Sequence, residues 1–225
     1  MKTDEPNDIQ RYRKRLQDPI KAERYATRFE RGPRKQIDRR EQRAVKTIFT
    51  ELDGCQSVLD VPSGAGRFVV CLSESNRQVI ELDVAREILE FGWRRARQLD
   101  RPAWFLQADA SRLPLAGGSV DAVFCNRLLH HIRSVEGRAV ILRELHRVSR
   151  RYVIVSFFNY QSFAGLRRFL KALRGRKPNY VGQPTLSEFS QEIATCGFRL
   201  LKVVPTGPLW VAQQYLLLER ASSIS

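Results

Sequence analysis

The fold of this chain is decided by the stretch Val58-Leu59-Asp60-Val61-Pro62-Ser63-Gly64-Ala65-Gly66-Arg67-Phe68. An apolar strand is predicted to end at Asp60, and a Gly-x-Gly turn then opens the next helix. Glycine lets the backbone adopt positive φ and lets a ligand approach where a Cβ would clash. The two glycines alone are weak evidence, because turns use glycine freely. Their place between a strand and a helix is what a ligand-binding turn of an α/β fold requires.

Strands and helices alternate along the chain after this turn. Helices are predicted at 67–74, 85–99, 135–148 and 185–196, and strands at 57–61, 78–82, 103–107, 119–125, 152–158, 198–204 and 212–219. This alternation indicates an α/β fold with a mostly parallel sheet and helices on both faces. No helix is predicted between the last two strands. The final strand is therefore expected to enter the sheet antiparallel.

The part of the chain before the turn is polar and basic. Residues 1–20 are interrupted by Pro6 and Pro19 and are predicted to be disordered or loosely helical. The apolar pattern of residues 21–52 predicts two helices separated by Gly32-Pro33. The predicted organisation is a basic N-terminal extension with helices at 1–52, a globular domain at 53–220 with a basic helical insertion at about 160–183, and a tail at 221–225.

The net charge of +15 is concentrated in two segments. Residues 1–50 hold 15 Lys/Arg against 8 Asp/Glu, and residues 161–180 hold 6 Lys/Arg and no acid. Such segments suit a polyanionic partner, although a solubilising surface explains them equally well. The second segment predicts a basic amphipathic helix that could contact an anionic membrane surface or another polyanion, or pack as a lid with its charges solvated, through Arg167, Arg168, Lys171 and Arg174.

Composition excludes several classes of protein. No apolar run approaches the roughly 20 residues that span a bilayer, and the N-terminus is too polar for a secretory signal. The four cysteines are scattered and form no C-x-x-C pair, which argues against a metal site or a disulfide framework. A cytoplasmic protein is therefore expected, with a peripheral position on the inner face of the membrane left open.

Further candidate ligand-binding residues follow the predicted strands. Asp83 ends the second strand, where an acidic side chain can accept hydrogen bonds from ribose hydroxyls. Glu81 competes for that role, and Asp83 could instead only cap the next helix. Asp109-Ala110 follows the third strand and Asn126 the fourth. The carboxyl ends of parallel strands are where open α/β sheets bind ligands.

Together, these four segments resemble the class I S-adenosylmethionine-dependent methyltransferases, and in particular the type 11 group that includes ubiquinone and menaquinone methyltransferases. The likeness runs from about residue 57 to 158 and more loosely to 219. It implies a Rossmann-like, seven-stranded sheet with an antiparallel last strand, and S-adenosyl-L-methionine as the cofactor. It also implies which residues bind each part of the cofactor: Asp60, Pro62, Gly64, Ala65 and Gly66 the methionine, Asp83 the ribose, Asp109 and Ala110 the adenine, and Asn126 the region of the sulfonium.

The chain departs from the family pattern at the turn itself. Pro62 stands where the family usually has glycine, and Ser63 where it often has cysteine. Proline fixes φ and lacks a backbone N–H. The turn is therefore expected to be stiffer and to offer the cofactor one donor fewer.

Two histidines, His130 and His131, follow the fourth strand close to the expected methyl group. Histidine suits proton transfer near neutral pH, so both are candidate catalytic bases. Alternatively, one of them packs in the sheet rim and the other caps a turn. The sequence predicts methyl transfer to a small-molecule or lipid-linked acceptor. An RNA methyltransferase, or a degenerate module that binds cofactor without catalysis, remains the alternative.

Overall fold

A computed structural model describes residues 18–159, 183–208 and 210–221. Within these ranges, seven strands form one sheet: β1 (Ser57–Asp60), β2 (Gln78–Asp83), β3 (Trp104–Gln107), β4 (Val120–Cys125), β5 (Ser149–Phe158), β6 (Phe198–Pro205) and β7 (Gln213–Arg220). Their order across the sheet is β3-β2-β1-β4-β5-β7-β6. The central position of β1 places its carboxyl end, and the glycine turn that follows, between β2 and β4.

The sheet is parallel except at its last strand. β1 pairs in parallel with β2 and β4, whereas β7 is antiparallel to both β5 and β6. The predicted antiparallel ending is thus confirmed. Its cause is the absence of a crossover helix after β6, which makes the chain return in the opposite direction.

Six α-helices surround the sheet in the described ranges: α1 (Pro19–Ala26), α2 (Gly32–Thr50), α3 (Val69–Leu72), α4 (Arg86–Gln98), α5 (Val135–Val148) and α6 (Leu186–Thr195). The Asp18 carboxylate accepts hydrogen bonds from the N–H groups of Ile20 and Lys21 at 3.0 and 3.2 Å. Residues 18–20, at the end of the segment predicted to be disordered or loosely helical, form the capped start of α1. An Asp cap followed by proline is a strong helix start. Residues 1–17 lie outside the described ranges.

The core has two layers, one on each face of the sheet. Val58 packs with α2 residues such as Ile48 and Phe49, while Leu59 packs on the other face with Leu142 of α5 and Phe189 of α6. Successive strand residues point to opposite faces, so neighbours in β1 join different clusters. Both layers converge on the strands that end at the glycine turn.

The helix predicted at 67–74 is shorter than expected. It is reduced to α3 and a 3-10 turn at Glu74–Asn76, because Ser75 and Asn76 both have a φ of +58°. Two consecutive left-handed residues end a right-handed helix. The basic insertion predicted at about 160–183 lies outside the described residues except for its last position. No helix in the described ranges is long and apolar enough to cross a membrane.

Candidate active site

The two glycines of the turn after β1 have different structural roles. Gly64 and Gly66 have φ values of +57° and +63°, the left-handed region that favours glycine. A Cβ on Gly66 would lie 3.1 Å from the Cα of Gly92 in α4, so Gly66 permits close packing of the turn on that helix. A Cβ on Gly64 would have only Tyr25 as a neighbour, at 4.0 Å. Gly64 therefore leaves bare backbone that a ligand can approach.

The Asp83 carboxylate holds the turn in place. Its two oxygens accept hydrogen bonds from the N–H groups of Gly64 and Ala85, both at 3.0 Å. Ala85, not Asp83, is the N-cap residue of α4. Asp83 thus ties the end of β2 to the glycine turn and to the start of α4, beyond the simple capping role that the sequence left open.

Beneath the turn, Asp60 and Glu81 form a pair of buried acids. They are register partners in β1 and β2, with 1% and 0% of their surface exposed. None of their four carboxylate oxygens has a hydrogen-bond partner among the described residues. Burial, and then the charge of Glu81, raises the pKa of Asp60 well above its usual range. Burial, and also the charge of Asp83, raises the pKa of Glu81 to about 8.

Two buried acids without partners among the described residues need a cation when they are ionised, since buried charges are normally paired. The ammonium group of S-adenosylmethionine is such a cation, so the residues present fit this cofactor. In the sequence, Glu81 is only an alternative to Asp83 as the ribose-binding acid. Glu81 and Asp83 are two residues apart in β2, and residues two apart in a strand share a face. This spacing was the signal that these two acids point to the same side of the sheet.

The segment after β3 lies beside the end of β2. The N–H of Ala108 donates to the carbonyl of Asp83 at 3.1 Å. Asp109 Oδ1 accepts hydrogen bonds from the backbone N–H and the hydroxyl of Ser111 at 2.8 and 2.7 Å, while Ala110 packs against the core. The structure therefore brings the predicted adenine residues next to the predicted ribose residue.

Asn126 and Arg127 continue the same edge after β4. Asn126 is buried, and its Oδ1 accepts a hydrogen bond from Nε2 of Gln213 at 3.4 Å. The N–H of Arg127 donates to the Ser156 hydroxyl at 2.6 Å, and Arg127 has a φ of +60°. The turn after β4 is thus fixed to β5 and β7.

The two candidate bases lie on a 3-10 turn, Leu129–His131. Their ring centroids are 3.9 Å apart, and the His130 ring is 4.5 Å from that of Phe158. Nδ1 of His130 is buried and has no hydrogen-bond partner among the described residues. Burial, followed by the charges of His131 and Arg127, lowers the pKa of His130 to about 3. His130 is therefore neutral at neutral pH, able to accept a hydrogen bond but only a weak base.

A charged network that sequence analysis missed covers this edge of the sheet. Glu41 of α2 is fully buried and accepts hydrogen bonds from the guanidinium groups of Arg67 and Arg127. Asp38 accepts a second bond from Arg67 at 2.7 Å, and Gln213 one from Arg127 at 2.7 Å. The two arginines directly follow the glycine turn and Asn126, so α2 is bound to both candidate ligand-binding loops.

The strand order, the antiparallel β7, the bare glycine turn after β1 and the acids that follow β2 and β3 define the class I S-adenosylmethionine-dependent methyltransferase fold. A family model described as a methyltransferase domain matches residues 59–157. Residues 59–157 thus form a methyltransferase domain, and the fold is that of the S-adenosylmethionine-dependent class.

Known proteins of this kind resemble the chain in sequence. It is 31% identical over 114 residues to the demethylmenaquinone methyltransferase of Renibacterium salmoninarum, an alignment covering 50% of this chain and 45% of that protein. It is 33% identical over 91 residues to the biotin biosynthesis bifunctional protein of Cellvibrio japonicus, covering 40% of this chain and 17% of that protein. The chain thus spans less than half the length of either curated relative.

The fold resembles solved methyltransferase structures over nearly the whole chain. Magnesium protoporphyrin IX methyltransferase from Synechocystis, crystallised with bound S-adenosylhomocysteine, superposes with a TM-score of 0.74 at 18% identity. The superposition covers 95% of this chain and 100% of that one. At this identity the likeness establishes the fold and not the acceptor.

Proposed function

We propose that this protein transfers a methyl group from S-adenosylmethionine to a small-molecule acceptor, free or lipid-linked. One observation carries the proposal: the turn with the bare backbone of Gly64 directly follows β1, whose last residue Asp60 and its register partner Glu81 are buried without hydrogen-bond partners among the described residues. A site that combines open backbone with two buried carboxyl groups suits a ligand that carries an ammonium group, because a cation favours the ionised form that burial disfavours.

Different residues around the turn would bind different parts of the cofactor. Asp60 and Glu81 would bind the ammonium group, and Asp83 the ribose. The remaining contacts would come from Pro62, Gly64, Ala65 and Gly66 on the methionine side, Asp109 and Ala110 at the adenine, and Asn126 near the sulfonium. When bound, the cofactor supplies an electrophilic methyl group on its sulfonium.

His130 and His131 would border the acceptor. A neutral His130 imidazole would accept a hydrogen bond from the O–H or N–H of the acceptor and so orient the nucleophile. Because its pKa is low, His130 would orient the acceptor rather than remove a proton from it. Holding both reactants in line is the main source of rate for a bimolecular displacement.

The small-molecule acceptor is supported by the names of similar proteins. Demethylmenaquinone methyltransferase and magnesium protoporphyrin IX methyltransferase are both named for small-molecule acceptors. Contact with a membrane or another polyanion through Arg167, Arg168, Lys171 and Arg174 stays a prediction, because these residues lie outside the described ranges.

Calorimetry of the full chain with S-adenosylhomocysteine tests the cofactor site. Asp83→Asn should weaken binding about tenfold or more, because it removes the charge that is proposed to accept the ribose hydroxyls. Asp121→Asn is the matched control. The Asp121 carboxylate also accepts hydrogen bonds from two backbone N–H groups, at 3.0 and 2.9 Å. It lies near the amino end of β4, whereas the candidate site lies at the carboxyl ends of the strands.

The control should bind S-adenosylhomocysteine like the unaltered protein. If the unaltered protein released no heat at millimolar ligand, the proposal would be overturned. Transfer of a labelled methyl group to separated metabolite, lipid and RNA fractions then identifies the class of acceptor. Labelling of RNA alone would refute the small-molecule assignment.

A further inference from the structure

Three guanidinium groups surround one aromatic ring at the edge of the candidate site. The Phe29 ring lies between α1 and α2 and is buried. The guanidinium carbons of Arg67, Arg28 and Arg127 are 3.8, 4.9 and 5.4 Å from its centroid. Arginine stacks well on aromatic faces, which accounts for the shared ring but does not neutralise three positive charges.

Among the described residues, two acids form ion pairs with this group of three cations. Glu41 pairs with both Arg67 and Arg127, and Asp38 pairs with Arg67. Arg28 has no carboxylate within ion-pair distance among the described residues and rests on the ring of Tyr25 at 3.6 Å. Burial, and beyond it the charges of Arg127 and Arg67, lowers the pKa of Arg28. In the described part of the chain, one guanidinium of the cluster therefore has no ion-pair partner, and this guanidinium is partly buried.

This charge lies between the two loops of the candidate site. Tyr25, under the Arg28 guanidinium, is the side chain nearest to Gly64 of the glycine turn. On the other side, Arg127 lies 5.5 Å from the Phe158 ring, and that ring contacts His130. A ligand group beside Arg28 would thus sit between the proposed cofactor and the proposed acceptor-binding histidines.

We infer that Arg28, with Arg127 beside it, binds a carboxylate of the methyl acceptor. A single unmatched charge calls for a singly charged anion, and a guanidinium presents two parallel N–H groups that fit a carboxylate. The acceptor is then an organic acid whose apolar part lies against Tyr25 and Phe158. This inference rests on the proposed function, because it assigns the acceptor of the same site.

The test compares acids with their uncharged amides on the full chain saturated with S-adenosylhomocysteine. The probes are octanoate with octanamide and benzoate with benzamide, titrated by calorimetry into the unaltered protein, Arg28→Gln and Arg28→Lys. Arg24→Gln is the matched control, since it makes the same charge change at an exposed position of α1. S-adenosylhomocysteine affinity is measured separately for every variant.

The unaltered protein and the control should bind at least one acid about tenfold more tightly than its amide. Arg28→Gln should abolish that preference and leave S-adenosylhomocysteine affinity within about twofold, and Arg28→Lys should keep part of the preference because it keeps the charge. Thermal melting should show both variants folded. If Arg28→Gln does not fold, Arg28→Lys is the test, and its preference for the acid over the amide should be smaller than that of the unaltered protein.

Several results would overturn the inference. One is equal binding of acid and amide, or binding of neither, by the unaltered protein. Another is loss of S-adenosylhomocysteine affinity in Arg28→Gln with the acid preference retained, because Arg28 would then hold the carboxylate of the cofactor. Failure of the unaltered protein to bind S-adenosylhomocysteine at all would instead refute the proposed function, so the two failures can be told apart.

Discussion

Asp60 and Glu81 lie opposite each other in β1 and β2, and neither carboxylate has a hydrogen-bond partner among the described residues. Placing two acids in adjacent buried positions is unfavourable unless a proton or a cation is shared between them. The arrangement therefore lowers the stability of the ligand-free protein and favours a cationic ligand. It makes the cofactor site the natural place to probe by mutation and by pH.

Glu81→Gln should flatten the dependence of stability on pH. Folding raises the pKa of Glu81 from 4.5 to about 8, so the folded state binds the proton more tightly than the unfolded state. The free energy of unfolding should then fall as the pH rises through this window. Between pH 5 and pH 8 the unaltered protein should lose about 3–4 kcal/mol more than the variant.

Urea unfolding without ligand at these two pH values measures the difference. Glu90→Gln serves as the control, because it removes the same charge from an exposed position of α4. A variant that loses as much stability with pH as the unaltered protein would show that Glu81 is not the titrating group.

Gly66→Ala should destabilise the protein more than Gly54→Ala. Both glycines have positive φ, so both substitutions strain the backbone by about 1 kcal/mol. A Cβ on Gly66 would in addition meet the backbone of Gly92 at 3.1 Å, whereas a Cβ on Gly54 would have no atom within 4 Å. The clash should add about 1–3 kcal/mol, measured by urea unfolding. Equal losses in the two variants would mean that the turn moves away from α4 freely.

Glu41→Gln should greatly weaken the packing of α1 and α2 on the sheet or unfold these two helices. Glu41 is fully buried and is shared by two arginines, so its loss leaves positive charge unpaired. Removing one partner from a buried pair costs about 3–5 kcal/mol. Thermal and urea unfolding should show that loss.

The exposed pair between Lys46 and Glu74 provides the comparison on the same helix. Glu74→Gln should cost about 0.5 kcal/mol or less, because water screens an exposed pair. If Glu41→Gln were as mild as Glu74→Gln, the buried network would not be what holds α2 against Arg67 and Arg127.

The His130 side chain should stay neutral from pH 5 to pH 8. Its pKa in the folded protein is lowered from 6.5 to about 3, so the unfolded state binds the proton more tightly. The stability that a neutral His130 gives is complete above pH 6.5 and is lost as the pH falls toward 3. Histidine side-chain NMR signals, assigned with His130→Gln, should therefore show no titration step for this residue between pH 5 and 8. A midpoint near 6.5 would contradict the buried position of the ring.

Local patterns made much of the fold predictable. The helix at Val135–Val148 has the predicted bounds, and the helix predicted at 185–196 begins after a capping box of Thr185 and Glu188. The β6–β7 hairpin followed from the lack of a helix between two apolar runs. Such features depend on neighbouring residues, so the sequence displays them directly.

Contacts between distant segments were not predictable in this way. Glu41 and Arg127 are 86 positions apart, and no periodicity links them. The pairing of Asp60 with Glu81 depends on the register of two strands, which the alternation of apolar residues does not specify. The same holds for Phe29, whose ring meets three arginines from separate elements.

The amino-acid sequence by itself determined the class of fold, the glycine turn after β1 and the acids that follow the strands, because each depends on short-range chemistry along the chain. Only the tertiary structure decided that, among the residues it describes, Asp60 and Glu81 share one site without hydrogen-bond partners and Arg28 has no ion-pair partner. Both results arise from charges that are distant in sequence and are brought together where water is excluded, and there a missing partner has a large energetic effect.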